Sequence, residues 1–96
     1  MTIEELQREL DTRDWGVLKV GSHAEGSRAF CVQEFHNQVH GRPWSDVPIG
    51  LPDLRPLNDA FGPDAAADQA RTWALLPVLV ALWDWANWLP TRQQAW

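Results

Sequence analysis

The sequence predicts an all-α fold: a small single-domain bundle of four to five short helices with a long central loop that carries prolines and a tryptophan. Three observations predict it. Thr2 and Glu5 stand three apart around the start of a helical spacing of Ile3, Leu6 and Leu10. Cys31, Val32, Phe35 and Val39 form an apolar stripe that ends hard at Gly41. A run rich in alanine, leucine and tryptophan then follows Asp64. The 96 residues make one domain, enough to bury roughly 60–65% of the unfolded chain's surface. A core that small gains from a partner or a second copy.

Taken in order, Thr2-Ile3-Glu4-Glu5 matches a capping box, with Thr2 as N-cap and Glu5 reaching back to it. A helix over Ile3–Asp11 follows, broken by Trp15-Gly16. Val17–Val20 is too short and too isolated for a sheet, so it reads as extended chain over the core. Gly21–Gly26 is a loop, since glycine and serine favour turns. Ser27 caps a second helix over Arg28–His40, in which Phe35, Val39 and Val32 fall within about 100° of Cys31. Glu34 and Gln38 border one edge of that stripe, and His36 and His40 border the other. Gly41 supplies the left-handed stop and Pro43 forbids continuation.

Arg42–Pro52 contains Pro43, Pro48, Gly50 and Pro52. Trp44 anchors this loop on the core, while Ser45 or Asp46 accepts hydrogen bonds within a local turn. A short helix runs from Pro56, at its first position, to Phe61 and ends at Gly62. Asp64 caps a strong helix over Ala65–Leu76, which Pro77 kinks or divides. Val78–Leu89 continues it, Pro90 stops it, and Thr91–Trp96 reads as a mobile tail. The apolar run Trp73–Leu89 holds Pro77, Asp84 and Asn87, which disfavours a membrane crossing. It reads as a central core helix or a self-association surface, with peripheral membrane contact the weaker alternative.

Composition narrows the function. The net charge of −5 weighs against direct nucleic-acid binding and against anionic membranes. Lys19 is the single lysine among eight basic side chains; with abundant alanine and proline, that suggests a GC-rich genome. One cysteine, Cys31, rules out an internal disulfide and a cysteine-only zinc site. With no apolar run behind a basic N-terminus, the expected location is the cytoplasm.

Several side chains carry chemistry, each with a plainer alternative. His36 and His40, at i and i+4, are weak metal candidates, since Asn37 after His36 breaks the H-E-x-x-H pattern and Glu34 faces away. A Cys31 nucleophile needs His23 as its base, yet a cysteine within an apolar stripe is ordinarily a buried thiol. Glu34 is either a general acid or base, or a structural carboxylate that accepts loop amides such as those after Trp44. No phosphate loop, dinucleotide fingerprint or nucleophile elbow is present, and no cofactor is expected.

Gly21-Ser22-His23, Cys31-Val32-Gln33-Glu34, Gly41 to Pro48 with its Ser45-Asp46, and Leu57-Asn58-Asp59 occur in an ordered series. With Leu75-Leu76-Pro77 behind it, the series resembles a family of small proteins of actinobacteria and their phages, over roughly Gly21–Val80. Phe35 stands where that family has alanine, and Arg42 where it has glutamate. The stretch Pro52–Leu57 is shorter than in the family, and the segment from Trp83 has no counterpart. The resemblance brings no activity. It implies that His23, Glu34, Ser45, Asp46, Asn58 and Asp59 converge around the loop, as a site or as a polar network.

The leading expectation is a non-enzymatic protein–protein interaction module. It would be a phage or accessory-genome factor that binds a host protein, or that self-associates through a tryptophan-rich helix, with Trp44, Trp83, Trp85 and Trp88 as contact residues. Ser45, Asn58 and Asp59 would form the structural network. One alternative is a small metal-dependent or hydrolytic enzyme using His23, Glu34 and Asp46 with Cys31 nearby. Another is an acidic mimic that blocks a nucleic-acid-binding protein.

Overall fold

Thr2 starts the first helix as a reciprocal cap. Its hydroxyl accepts the Glu5 amide at 3.1 Å, and the Glu5 carboxylate accepts the Thr2 amide at 3.1 Å. The computed structural model describes residues 1–13, 16–27 and 29–95, and among them there are helices and no strand. The elements are α1 (Ile3–Arg13), α2 (Val32–Val39), α3 (Arg55–Ala60), α4 (Ala65–Ala81), a 3₁₀ turn (Trp85–Asn87) and α5 (Pro90–Ala95). The Cα radius of gyration is 12.7 Å, that of a compact chain of about this length.

Helix α1 runs two residues beyond its expected end and buries Leu6 and Leu10. The expected break at Trp15 lies outside the described residues. Gly16 takes the left-handed region at φ 82°, and a Cβ there would stand 2.7 Å from the Asp11 carboxylate. Residues 17–20 then carry neither helix nor strand. Leu18 is fully buried, and its amide donates to the Thr72 hydroxyl at 2.8 Å. The Lys19 amide donates to the Phe30 carbonyl at 2.8 Å, which pins both ends of the intervening loop.

Helix α2 starts at Val32, later than expected, because Cys31 rather than Ser27 is its N-cap. Two interactions set that start. The Lys19–Phe30 bond ties down the residue before the extended Cys31, and Glu34 reaches back to the Cys31 amide. Ser27 caps only a local turn, accepting the Ala29 amide at 3.3 Å, and Arg28 lies outside the described residues. The stop at Gly41 is present, with φ 73°. Residues 42–54 carry no helix, and α3 then begins at Arg55, which places Pro56 at its second position.

Asp64 caps α4 by accepting the Ala67 amide at 2.8 Å. The helix passes through Pro77 without dividing. Pro77 and Trp73, the residue whose carbonyl loses its donor, are both exposed, so that carbonyl is not left unpaired in the core. The helix ends at Ala81 rather than Leu89, and Pro90 opens α5 at its first position instead of closing α4. A helix therefore occupies most of the expected tail; Trp96 lies outside the described residues.

The run Trp73–Leu89 is not a central core helix. Trp73 and Leu89 are 76% and 73% exposed, and α4 buries only the face of Leu75, Leu76 and Leu79, with Leu82 following. The central element is α2, whose residues from Val32 to Asn37 are all buried. Trp44, Trp83, Trp85 and Trp88 are half-buried against the core. No helix among the described residues is long and apolar enough to cross a membrane.

One buried cation ties these pieces together. Arg71 on α4 is 0% exposed. Its Nε donates to the Asn58 carbonyl, Nη1 to the Leu18 carbonyl and the Asp68 carboxylate, and Nη2 to the Gly62 carbonyl. Arg71→Met would leave those buried carbonyls without donors, so it is expected to cost about 3 kcal/mol or more in urea unfolding. A loss under about 1 kcal/mol would show that the clamp is dispensable.

Candidate functional site

The N-terminus of α2 gathers most of the candidate side chains. Glu34 is 1% exposed, and both of its oxygens are occupied. Oε1 accepts the Cys31 amide at 2.8 Å and faces His23 Nδ1 at 2.9 Å. Oε2 accepts the His23 amide at 2.6 Å. The nitrogen that faces the carboxylate carries the ring proton. The Trp44 indole donates to the His23 carbonyl at 2.8 Å. Glu34 thus takes loop amides as a structural carboxylate does, but at His23 and not after Trp44.

Asn58 and Asp59 bind the same end of α2. Asn58 Oδ1 accepts the Val32 amide at 3.0 Å, while its Nδ2 donates to the Lys19 carbonyl at 2.9 Å and to Asp59 Oδ1 at 3.0 Å. That Asp59 oxygen also accepts the Gly21 amide at 2.7 Å. Ser45 joins the helix further along, its carbonyl accepting Asn37 Nδ2 at 2.9 Å and its hydroxyl accepting the Val47 amide at 3.0 Å. Asp46 pairs with Arg55, at 3.7 Å, and not with His23.

Cys31, Asp46, Arg55 and Asp59, with Gly21 and Ser22, line a cavity of about 140 Å³. The thiol in that cavity is a poor nucleophile. Burial pushes Cys31 up to about 12, with the Glu34 charge adding to the shift, so thiolate is scarce at neutral pH. Nor do the amides there offer a place for an anion: those of Cys31, Val32 and Glu34 are already taken by Glu34, Asn58 and Cys31 Sγ.

His36 differs from its expected place at an exposed edge, whereas His40 is exposed as expected. His36 is 2% exposed, and neither ring nitrogen has a hydrogen-bond partner. Its centroid lies 4.4 Å from that of His40 and 5.8 Å from that of Trp83, which stacks on His40 at 4.5 Å. Trp83 covers the pair because α4 ends early and the following turn folds back over α2. Burial, then the charges of His40 and Arg42, hold His36 down at about 4; burial first and Arg42 second also lower His40. Among the described residues no group of three histidine, cysteine or acidic side chains converges as a metal site.

Sequence reasoning missed Gln33, Asn37 and Arg71, and it placed Trp73 in a core or self-association run without naming it as a contact residue. Gln33 accepts the Leu54 amide and donates to the Pro52 carbonyl, each at 3.1 Å. Asn37 also donates to the Val47 carbonyl at 3.0 Å. The available signal was two amide side chains beside a proline-rich loop that cannot satisfy its own backbone. Trp73 stands at a groove of about 550 Å³ between α1 and α4. Ile3, Glu4, Gln7 and Arg8 form one wall, and Thr72, Trp73, Leu76 and Pro77 form the other.

No family model, curated protein or solved structure matches this chain.

The lowered His36 fixes a pH dependence. The folded state holds the ring neutral down to about pH 4, whereas the unfolded ring protonates from the ordinary value of 6.5. This contribution to stability is complete above pH 6.5 and is lost as pH falls towards 4. Between pH 7 and pH 5 the loss is expected to be about 2 kcal/mol in urea unfolding, and His36→Leu should remove most of it. An unchanged pH slope in His36→Leu would contradict this account.

Proposed function

We propose that this chain is a non-enzymatic protein–protein interaction module that self-associates through the groove between α1 and α4. The observation that carries the reading is Trp73, 76% exposed at the rim of an apolar groove. A large rigid side chain held in water beside a preformed concavity is the usual composition of an interface anchor. Ile3, 44% exposed on the facing wall, extends the apolar patch.

Three further observations support a role without catalysis. The Cys31 thiol is held protonated. Both Glu34 oxygens are engaged by the fold, and Asp46 lies with Arg55 rather than with His23. The loop Arg42–Pro52 serves as scaffold in this reading, held by Asn37 and by Trp44. The ordered series from Gly21-Ser22-His23 to Leu57-Asn58-Asp59 supports an actinobacterial or phage origin. The same groove offers a host protein the surface it offers a second copy.

Sedimentation velocity across a wide concentration range tests the proposal. The native chain is expected to shift from monomer to dimer, and Trp73→Ser to remain monomeric with an unchanged melting temperature, because the indole is exposed. A native chain that stays monomeric throughout would overturn it.

A further inference from the structure

The groove has an electrical pattern as well as a shape. Glu4 and Arg8 lie one turn apart on the α1 wall, with opposite charges, and both line the groove. Neither forms an ion pair with another described residue. Charges in that state on a helix rim are open to a partner that presents the reverse order.

A second copy presents the reverse order when it is turned by a two-fold axis. We infer that the self-association proposed above, on which this inference rests, is an isologous dimer in which the two α1 helices cross antiparallel. Glu4 of each copy then faces Arg8 of the other, and each Trp73 enters the other copy's groove. A two-fold contact satisfies both pairs at once. Parallel α1 helices would set Glu4 against Glu4 and Arg8 against Arg8, which costs energy on both pairs.

The contact is modest in size. A tryptophan buries about 150–250 Å², so two of them with Ile3 and Pro77 make an interface at the small end of the known range, below about 1,200 Å². A dimer of this kind is weak and reversible. Rim charges therefore matter to it, because even a weak pair is a sizeable share of a small total.

Charge reversal tests the arrangement, with association measured by sedimentation velocity and folding checked by circular dichroism. Glu4→Arg sets two cations against each other in both pairs, and Arg8→Glu sets two carboxylates against each other. Each single variant is expected to associate about tenfold or more weakly than the native chain. The double variant restores both pairs and should return to native affinity. Mixing the two single variants should yield a heterodimer that neither forms alone. If the native chain dimerises through Trp73 but the reversals change nothing, or if the double variant stays as weak as the singles, the antiparallel pairing is wrong while the reading of the groove stands. If the native chain does not dimerise, or Trp73→Ser dimerises equally well, the groove itself is not the contact.

Discussion

Everything in this fold follows from the burial of α2. A helix enclosed over its length from Val32 to Asn37 cannot leave polar side chains unpaired without a cost of about 1–3 kcal/mol each. Its sequence nevertheless contains glutamine, glutamate and asparagine. The conflict is resolved because the surrounding chain is irregular and has its own unpaired amides and carbonyls. Gln33 holds Pro52 and Leu54, Glu34 holds His23, and Asn37 holds Ser45 and Val47. From the other side Arg71 collects the carbonyls of Leu18, Asn58 and Gly62. The loops are shaped by side chains that also need them. His36 is the one break in this pattern, buried with both ring nitrogens unpaired.

The same economy bears on the proposed role. Both oxygens of the buried Glu34 carboxylate are engaged by the fold, and the buried thiol beside it stays protonated. The residues with the most chemical capacity are committed to the fold. Among the described residues, the indole of Trp73 and the groove beside it remain uncommitted, with the charges of Glu4 and Arg8 on the α1 wall. Pro77 belongs to that surface, and its exposed position on α4 is what lets the helix pass through it unbroken.

Parts of this were legible in the residues. Reciprocal capping by Thr2 and Glu5, the stop at Gly41 and the cap at Asp64 rest on local hydrogen bonds that local sequence encodes. The resemblance implied that six residues gather at the loop; His23 meets Glu34 and Asn58 meets the start of α2, while Asp46 pairs with Arg55. The start of α2 was not legible, because a cysteine sulfur is an unusual N-cap and the deciding bond joins Lys19 to Phe30. The end of α4 was hidden for a different reason. Ala81 to Trp83 carries no glycine or proline, so hydrophobicity alone ran on to Leu89. Near-continuous hydrophobicity also concealed which way Trp73 points, since a run without a polar face gives no phase.

The claim that α2 organises the irregular chain is tested most directly by native-state hydrogen exchange at two amides outside any helix. His23 donates to Glu34 and Leu54 donates to Gln33. If α2 holds these segments, both amides exchange with the slow opening of α2 itself, as members of one cooperative unit. Exchange of His23 and Leu54 at the rate of unstructured chain, while α2 remains protected, would contradict the account.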